Sequence, residues 1–98
     1  MSTEPAQAAA DRPAAESTAC FAVHAAADPG LMPRIVEIFA RRGLVPTRFH
    51  GTVAGLPAEL TVDVEMAGLG REAAMRIAAE MRALWGVSLV LTTEKRAV

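Results

Sequence analysis

The stretch ELTVDVEM, residues 59–66, alternates polar and apolar side chains without a break. Successive side chains of a β-strand point to opposite faces of its sheet, so Leu60, Val62 and Val64 share one face. So clean an alternation predicts an antiparallel strand with one face on a core and the other on water or a polar partner. This strand fixes the kind of sheet to which the rest of the chain must fit.

The pattern extends outward on both sides as two strand–helix–strand units. The predicted strands are residues 19–26, 45–53, 59–66 and 87–93. Each predicted helix follows a glycine turn and carries one apolar stripe. The two stripes are Leu31, Ile35, Ile38 and Phe39 in the first helix and Ala74, Ile77, Ala78, Met81, Leu84 and Trp85 in the second.

Proline and glycine set the ends of these elements. Pro33 is tolerated only in the first turn of a helix, so the first helix is predicted to be capped near Gly30 and to begin at Leu31. Gly43 and Gly86 are predicted to end the two helices. In the last strand, Val87, Leu89 and Leu91 are expected to share one side of the sheet.

Two amphipathic helices and four half-apolar strands predict a two-layer α+β sandwich. The economical arrangement is a ferredoxin-like βαββαβ fold, with a four-stranded antiparallel sheet and both helices on one face. The open face is expected to be too polar to form a second core. Its predicted residues are His24, Arg48, His50, Thr61, Asp63 and Glu65.

Composition limits the domain organisation and the classes of function. The 98 residues have room for one small domain, and residues 1–18, rich in Ala and Pro, are predicted to be a disordered tail before a domain at 19–98. The tail lacks the features of a secretory signal, so cytoplasm is the expected location. The net charge of −1, the single cysteine and the absence of a long apolar run argue against nucleic-acid binding, a disulfide framework and a membrane span.

Two motifs suggest chemistry, and each has a plainer interpretation. Residues 68–73, GLGREA, fit a dinucleotide-binding pattern with Glu94 at the end of the next strand, but the alternating strand before them favours an ordinary glycine turn. The second motif is a group of possible metal ligands on the open sheet face, for which a solvated polar face is the plainer interpretation. Its members are His24, His50, Asp63 and Glu65, which are expected to lie beside Cys20. We therefore predict no metal, no cofactor and no catalytic residues, and assign Cys20 to packing.

The first loop and helix carry a resemblance to a known family. Residues 28–43, DPGLMPRIVEIFARRG, are similar to the signature of ACT domains, and resemble most closely the small regulatory subunits of acetolactate synthase, an enzyme of branched-chain amino acid biosynthesis. The resemblance implies a homodimer that binds an amino acid at its interface. It also implies a regulatory role on a catalytic large subunit.

Transfer of the family pattern onto this sequence gives a set of ligand-binding candidates. They are Asp28, Pro29, Gly30, Leu31, Val45 and Pro46. A strand-to-helix loop also favours an anionic ligand, because the first N–H groups of a helix are free. Ala27 and Val45 stand where the acetolactate synthase subunits have asparagine. This difference leaves open a first alternative, an interaction subunit that has lost its ligand. The possible metal ligands on the open face leave open a second, a metal-binding protein of the same fold.

Overall fold

The structure, a computed structural model, describes residues 17–96 and contains four strands and two helices there. In chain order they are β1 (Ser17–Ala26), α1 (Leu31–Arg41), β2 (Arg48–Ala54), β3 (Glu59–Ala67), α2 (Arg71–Arg82) and β4 (Val87–Arg96). This is the predicted βαββαβ order. The predicted tail, 1–18, lies outside the described residues except for Ser17 and Thr18, which are the first residues of β1.

The strands form one antiparallel sheet in the order β2-β3-β1-β4. Val23 in β1 pairs with Val62 in β3 on one side and with Val90 in β4 on the other. All three are buried, because both helices cover this face of the sheet. The ferredoxin-like fold class is therefore confirmed, with β2 and β4 as the two edge strands.

The core lies between the sheet and the helices and holds the predicted apolar stripes. The stripe of α1 is almost wholly inaccessible, and its Phe39 packs edge-on against Phe21 of β1 with ring centroids 6.0 Å apart. As predicted, α1 begins at Leu31, so Pro33 falls in the first turn. Helix α2 ends at Arg82, before two residues of its expected stripe. Beyond that end, Leu84 still packs on the core, but Trp85 is 73% exposed, so its predicted place in the core was wrong.

The face assignment of β4 was also wrong. Leu89 and Leu91 lie on the open face, opposite His24 and Ala22, and each is about half exposed, while Val90 between them is buried. The cause is a bulge at the start of the strand, where one step in β1 matches two steps in β4. An extra residue reverses the alternation of side chains that follow it. Val87 can therefore contact the core while Leu89 and Leu91 point away.

No helix among the described residues is long and apolar enough to cross a membrane.

Candidate functional site

The loop between β1 and α1 is held by hydrogen bonds among its own residues. The N–H of Gly30, the residue that caps α1, donates a hydrogen bond of 2.9 Å to Oδ2 of Asp28. The N–H of Leu31 donates to the backbone oxygen of Asp28 at 3.1 Å. The first N–H groups of a helix normally lack a partner in the helix itself. In this chain Asp28 satisfies the first two of them, those of Gly30 and Leu31.

At Gly30 and Leu31 this arrangement corrects the expectation that the loop offers free N–H groups to an anionic ligand. The Asp28 carboxylate already holds the position at the helix N-terminus where such an anion would bind, and a negative charge is stabilised there. Arg34, one turn along α1, brings Nη1 to 4.0 Å from Oδ2 of the same carboxylate. Asp28 nevertheless keeps 37% of its side-chain surface exposed.

A cavity of about 330 Å³ opens beside this loop, between α1 and the end of β2. Five of its lining residues are apolar and the sixth, Asp28, is acidic. The lining is Ala27, Asp28, Pro29, Met32, Val53 and Leu60. We refer to it as the loop pocket.

Glycine in β2 shapes one wall of the loop pocket. A Cβ added at Gly51 would stand 2.8 Å from Cε of Met32, so the methionine lies directly over the strand where the side chain is missing. Val53, two residues further along the same edge strand, is 60% exposed although it faces the helix layer. The pocket is therefore open towards the β2 edge of the sheet.

The predicted site residues divide between the two ends of the molecule. Ala54, at the end of β2, is linked through Glu59 to the end of β1 and so lies near the loop. Val45 and Pro46 precede Arg48, which is linked through Glu65 to Cys20 near the other end of β1. The two ends of β2 are six residue steps apart, or roughly 20 Å at about 3.3 Å per step. One copy of the chain does not bring these two halves of the predicted site together.

Two further differences concern individual residues. Leu31 was expected to contact a ligand, but its side chain is fully buried in the core. Met32, Val53 and Leu60 line the pocket, although sequence reasoning did not propose them as site residues. Val53 and Leu60 are direct neighbours across the β2–β3 pair, so the strand register was the signal that links them.

The possible metal ligands do not form a centre. Asp63 lies opposite His50 across the β2–β3 pair, whereas His24 lies opposite Thr61 and Cys20 opposite Glu65. Within residues 17–96 no three His, Cys, Asp or Glu side chains come close enough together to hold a metal ion.

The glycine motif at residues 68–73 is a turn into α2. The strand before it, β3, pairs antiparallel on both sides, whereas a dinucleotide fold requires parallel strands at this point. Gly68 has a φ of 76° and donates its N–H to the backbone oxygen of Ser17 at 2.9 Å. The plainer interpretation of this motif is therefore the one that the fold supports.

Fold and loop together define a small ferredoxin-like domain with a pocket at its first strand-to-helix connection. The model of the ACT-like domain family matches residues 11–97, and the chain belongs to that family. A search of the curated proteins found no match.

Two solved structures are similar in fold to this chain. One is the ACT domain of the GTP pyrophosphokinase of Chlorobium tepidum, with a TM-score of 0.63, 10% identity and coverage of 78% of this chain and 96% of that one. The other is the C-terminal domain of the MgtC protein of Mycobacterium tuberculosis, with a TM-score of 0.60, 17% identity and coverage of 84% and 90%. At these identities the likeness concerns the fold alone.

Proposed function

We propose that the chain is a non-catalytic regulatory module that acts as a homodimer and binds a small ligand, such as an amino acid, in the loop pocket. The observation that carries the proposal is the pocket itself, an apolar cavity beside the first loop that is open on the β2 edge. Membership of the ACT-like family supports a regulatory rather than a catalytic role. The pocket lining contains one ionisable side chain, Asp28, and no acid–base pair.

Pairing of two copies through β2 would complete the pocket. In an antiparallel β2–β2 pair related by a two-fold axis, the start of each strand lies beside the end of the other. The partner's Val45 and Pro46 would then approach the open side of the loop pocket, near Val53. Val45 is 80% exposed in the single chain, which is consistent with a side chain that is buried by a second copy.

The two edge strands differ in how freely they can pair. On β4, Arg82 of α2 donates from Nη2 to the backbone oxygen of Val90 at 2.9 Å, which occupies the middle of that edge. No side chain in the described residues bonds to the backbone of β2 in this way. Occupied edge groups discourage strand pairing, so β2 is the edge we assign to the dimer.

The oligomeric state tests this geometry with a matched pair of variants. A lysine on an interface strand opposes pairing, so Val53→Lys is expected to give a monomer in analytical ultracentrifugation. Leu91→Lys makes the same change at a similarly exposed position on β4 and should leave the dimer intact. A wild-type monomer, or dissociation by Leu91→Lys alone, would contradict the proposed interface.

Calorimetry against the twenty amino acids, with the wild-type chain, tests the ligand. Heat with one or more of them, lost in a variant that fills the pocket, supports a sensor. A chain that binds none of them but still associates with a catalytic subunit would instead be an interaction subunit without a ligand. The observation that favours this second candidate is the occupied N–H of Gly30, together with Ala27 in the loop.

The resemblance of residues 28–43 to acetolactate synthase small subunits supports a more specific partner. We propose a thiamine-dependent large subunit as the enzyme that the module regulates. Mixing the purified chain with such a subunit should give a complex on size exclusion and raise its activity. No complex and no change in activity would remove this partner while leaving the dimer and the pocket in place.

A further inference from the structure

The loop pocket carries a single charge, and that charge is negative. Asp28 supplies the only carboxylate of a lining that is otherwise Ala, Pro, Met, Val and Leu. Its Oδ2 accepts from Gly30 and lies 4.0 Å from Arg34, while no described residue donates to Oδ1. The pocket therefore combines an apolar lining with one acidic residue, whose second carboxylate oxygen can still accept hydrogen bonds.

A ligand carboxylate finds the two N–H groups beside Asp28 already occupied. The Gly30 N–H donates to the Asp28 carboxylate, and the Leu31 N–H donates to the backbone oxygen of the same residue. Arg34 lies 4.0 Å from Asp28 and is not part of the pocket lining. Binding a carboxylate at these N–H groups would require breaking the Asp28–Gly30 bond and placing two negative groups side by side, which is unfavourable at such short range.

We propose that the loop pocket recognises a primary ammonium group joined to an aliphatic body, and that a carboxylate on the ligand weakens binding. The inference rests on the proposed function, since it names the ligand class for that same pocket. An ammonium group has three donors, one of which can bond to Oδ1 of Asp28. The aliphatic body would contact Met32, Val53 and Leu60. Charge-assisted hydrogen bonds of this kind are about twice as strong as neutral ones.

Three probes that share one carbon skeleton separate the two charged groups. They are 3-methylbutylamine with the ammonium only, leucine with both groups, and 4-methylpentanoate with the carboxylate only. Calorimetry on the wild-type dimer is expected to rank the amine first and leucine second, with no heat from the acid. Asp28→Asn keeps an acceptor for Gly30 but removes the charge, and should weaken the amine about tenfold or more.

Two more variants sharpen the test. Glu37→Gln removes one negative charge from the exposed outer face of α1 and should leave the affinity for the amine unchanged. Asp28→Ala frees the N–H of Gly30 and should let 4-methylpentanoate bind where the wild type does not. Circular dichroism confirms that each variant is folded, and the ranking on the wild type stands even if one is not.

The outcomes distinguish this inference from the proposed function. If leucine or 4-methylpentanoate binds the wild type more tightly than the amine, the inference is overturned and the ligand pocket stands. Unchanged amine affinity in folded Asp28→Asn also overturns it. If none of the three probes, and none of the amino acids, binds the wild-type dimer, the inference and the ligand-binding part of the proposed function fail together.

Discussion

The bulge at the start of β4 predicts that two neighbouring residues respond in opposite ways to the same substitution. Val90 is 3% exposed and faces the helices, whereas Leu91 is 51% exposed on the open face. Regular alternation from Val87, as the sequence alone suggests, would reverse these two positions. Val90→Ser and Leu91→Ser therefore measure directly which face of β4 covers the core.

The magnitudes follow from burial. Val90→Ser removes two buried methyl groups, worth about 1.6 kcal/mol at about 0.8 kcal/mol each. The hydroxyl that replaces them has to be desolvated, which adds about 1–3 kcal/mol. The expected loss of unfolding free energy is thus about 3–5 kcal/mol. Leu91→Ser removes a larger side chain, but about half of it is already in water, so the loss is at most about 1.5 kcal/mol.

Urea unfolding followed by circular dichroism gives both values, with the slope of the transition as a check that the unfolded states are alike. Should Val90→Ser fail to fold, Val90→Thr keeps the shape of valine and is expected to cost about 1–3 kcal/mol through its hydroxyl. A larger loss for Leu91→Ser than for both Val90 variants would refute the register and the bulge behind it.

Two glycine substitutions give further predictions with different readouts. Gly86→Ala should lower the free energy of unfolding, measured in urea, by more than Gly43→Ala does. Both positions have positive φ, so an alanine at either one costs about 1–2 kcal/mol of backbone strain. Only at Gly86 would the new methyl also meet Cδ1 of Leu31, at 3.1 Å. Equal losses would mean that this contact relaxes freely. Gly51→Ala should leave stability within about 1 kcal/mol yet weaken the best-binding ligand in calorimetry, because the methyl displaces the flexible end of Met32 towards the loop pocket. Unchanged affinity would show that Met32 moves elsewhere.

The fold could be predicted from local rules because the sequence pattern of each element identifies it as a strand or a helix. Three local patterns predict the same two layers. They are the strict alternation in β3, the i, i+4, i+7 stripe of α1 and the position of Pro33 in the first turn of that helix. The same rules assigned the wrong face to β4, where the strand pairing is irregular. The bulge opposite His24 and Ala25 depends on how β4 lies against β1, and the sequence pattern within β4 does not indicate it.

The candidate site was predictable only as far as the loop itself. Asp28 and Pro29, which line the loop pocket, could be proposed because a strand-to-helix turn has a clear sequence pattern. The roles of the loop residues could not be predicted from the sequence. Side-chain geometry decides whether Asp28 accepts a hydrogen bond from Gly30 or leaves that N–H to a ligand. The pocket walls, such as Val53, depend on the register between strands that are distant from the loop in sequence.

The separation of the predicted site residues is itself an argument about assembly. Val45 and the loop lie at opposite ends of β2, roughly 20 Å apart by strand rise, so no small ligand contacts both within one chain. An antiparallel pair of β2 strands removes this conflict without moving any element, because a two-fold axis exchanges the ends of the strand. In such a dimer, each pocket is built from two copies. Ligand affinity should then depend on protein concentration and fall as the dimer dissociates on dilution. Leu91→Lys, which changes neither the pocket lining nor the β2 edge, should retain both the dimer and the affinity.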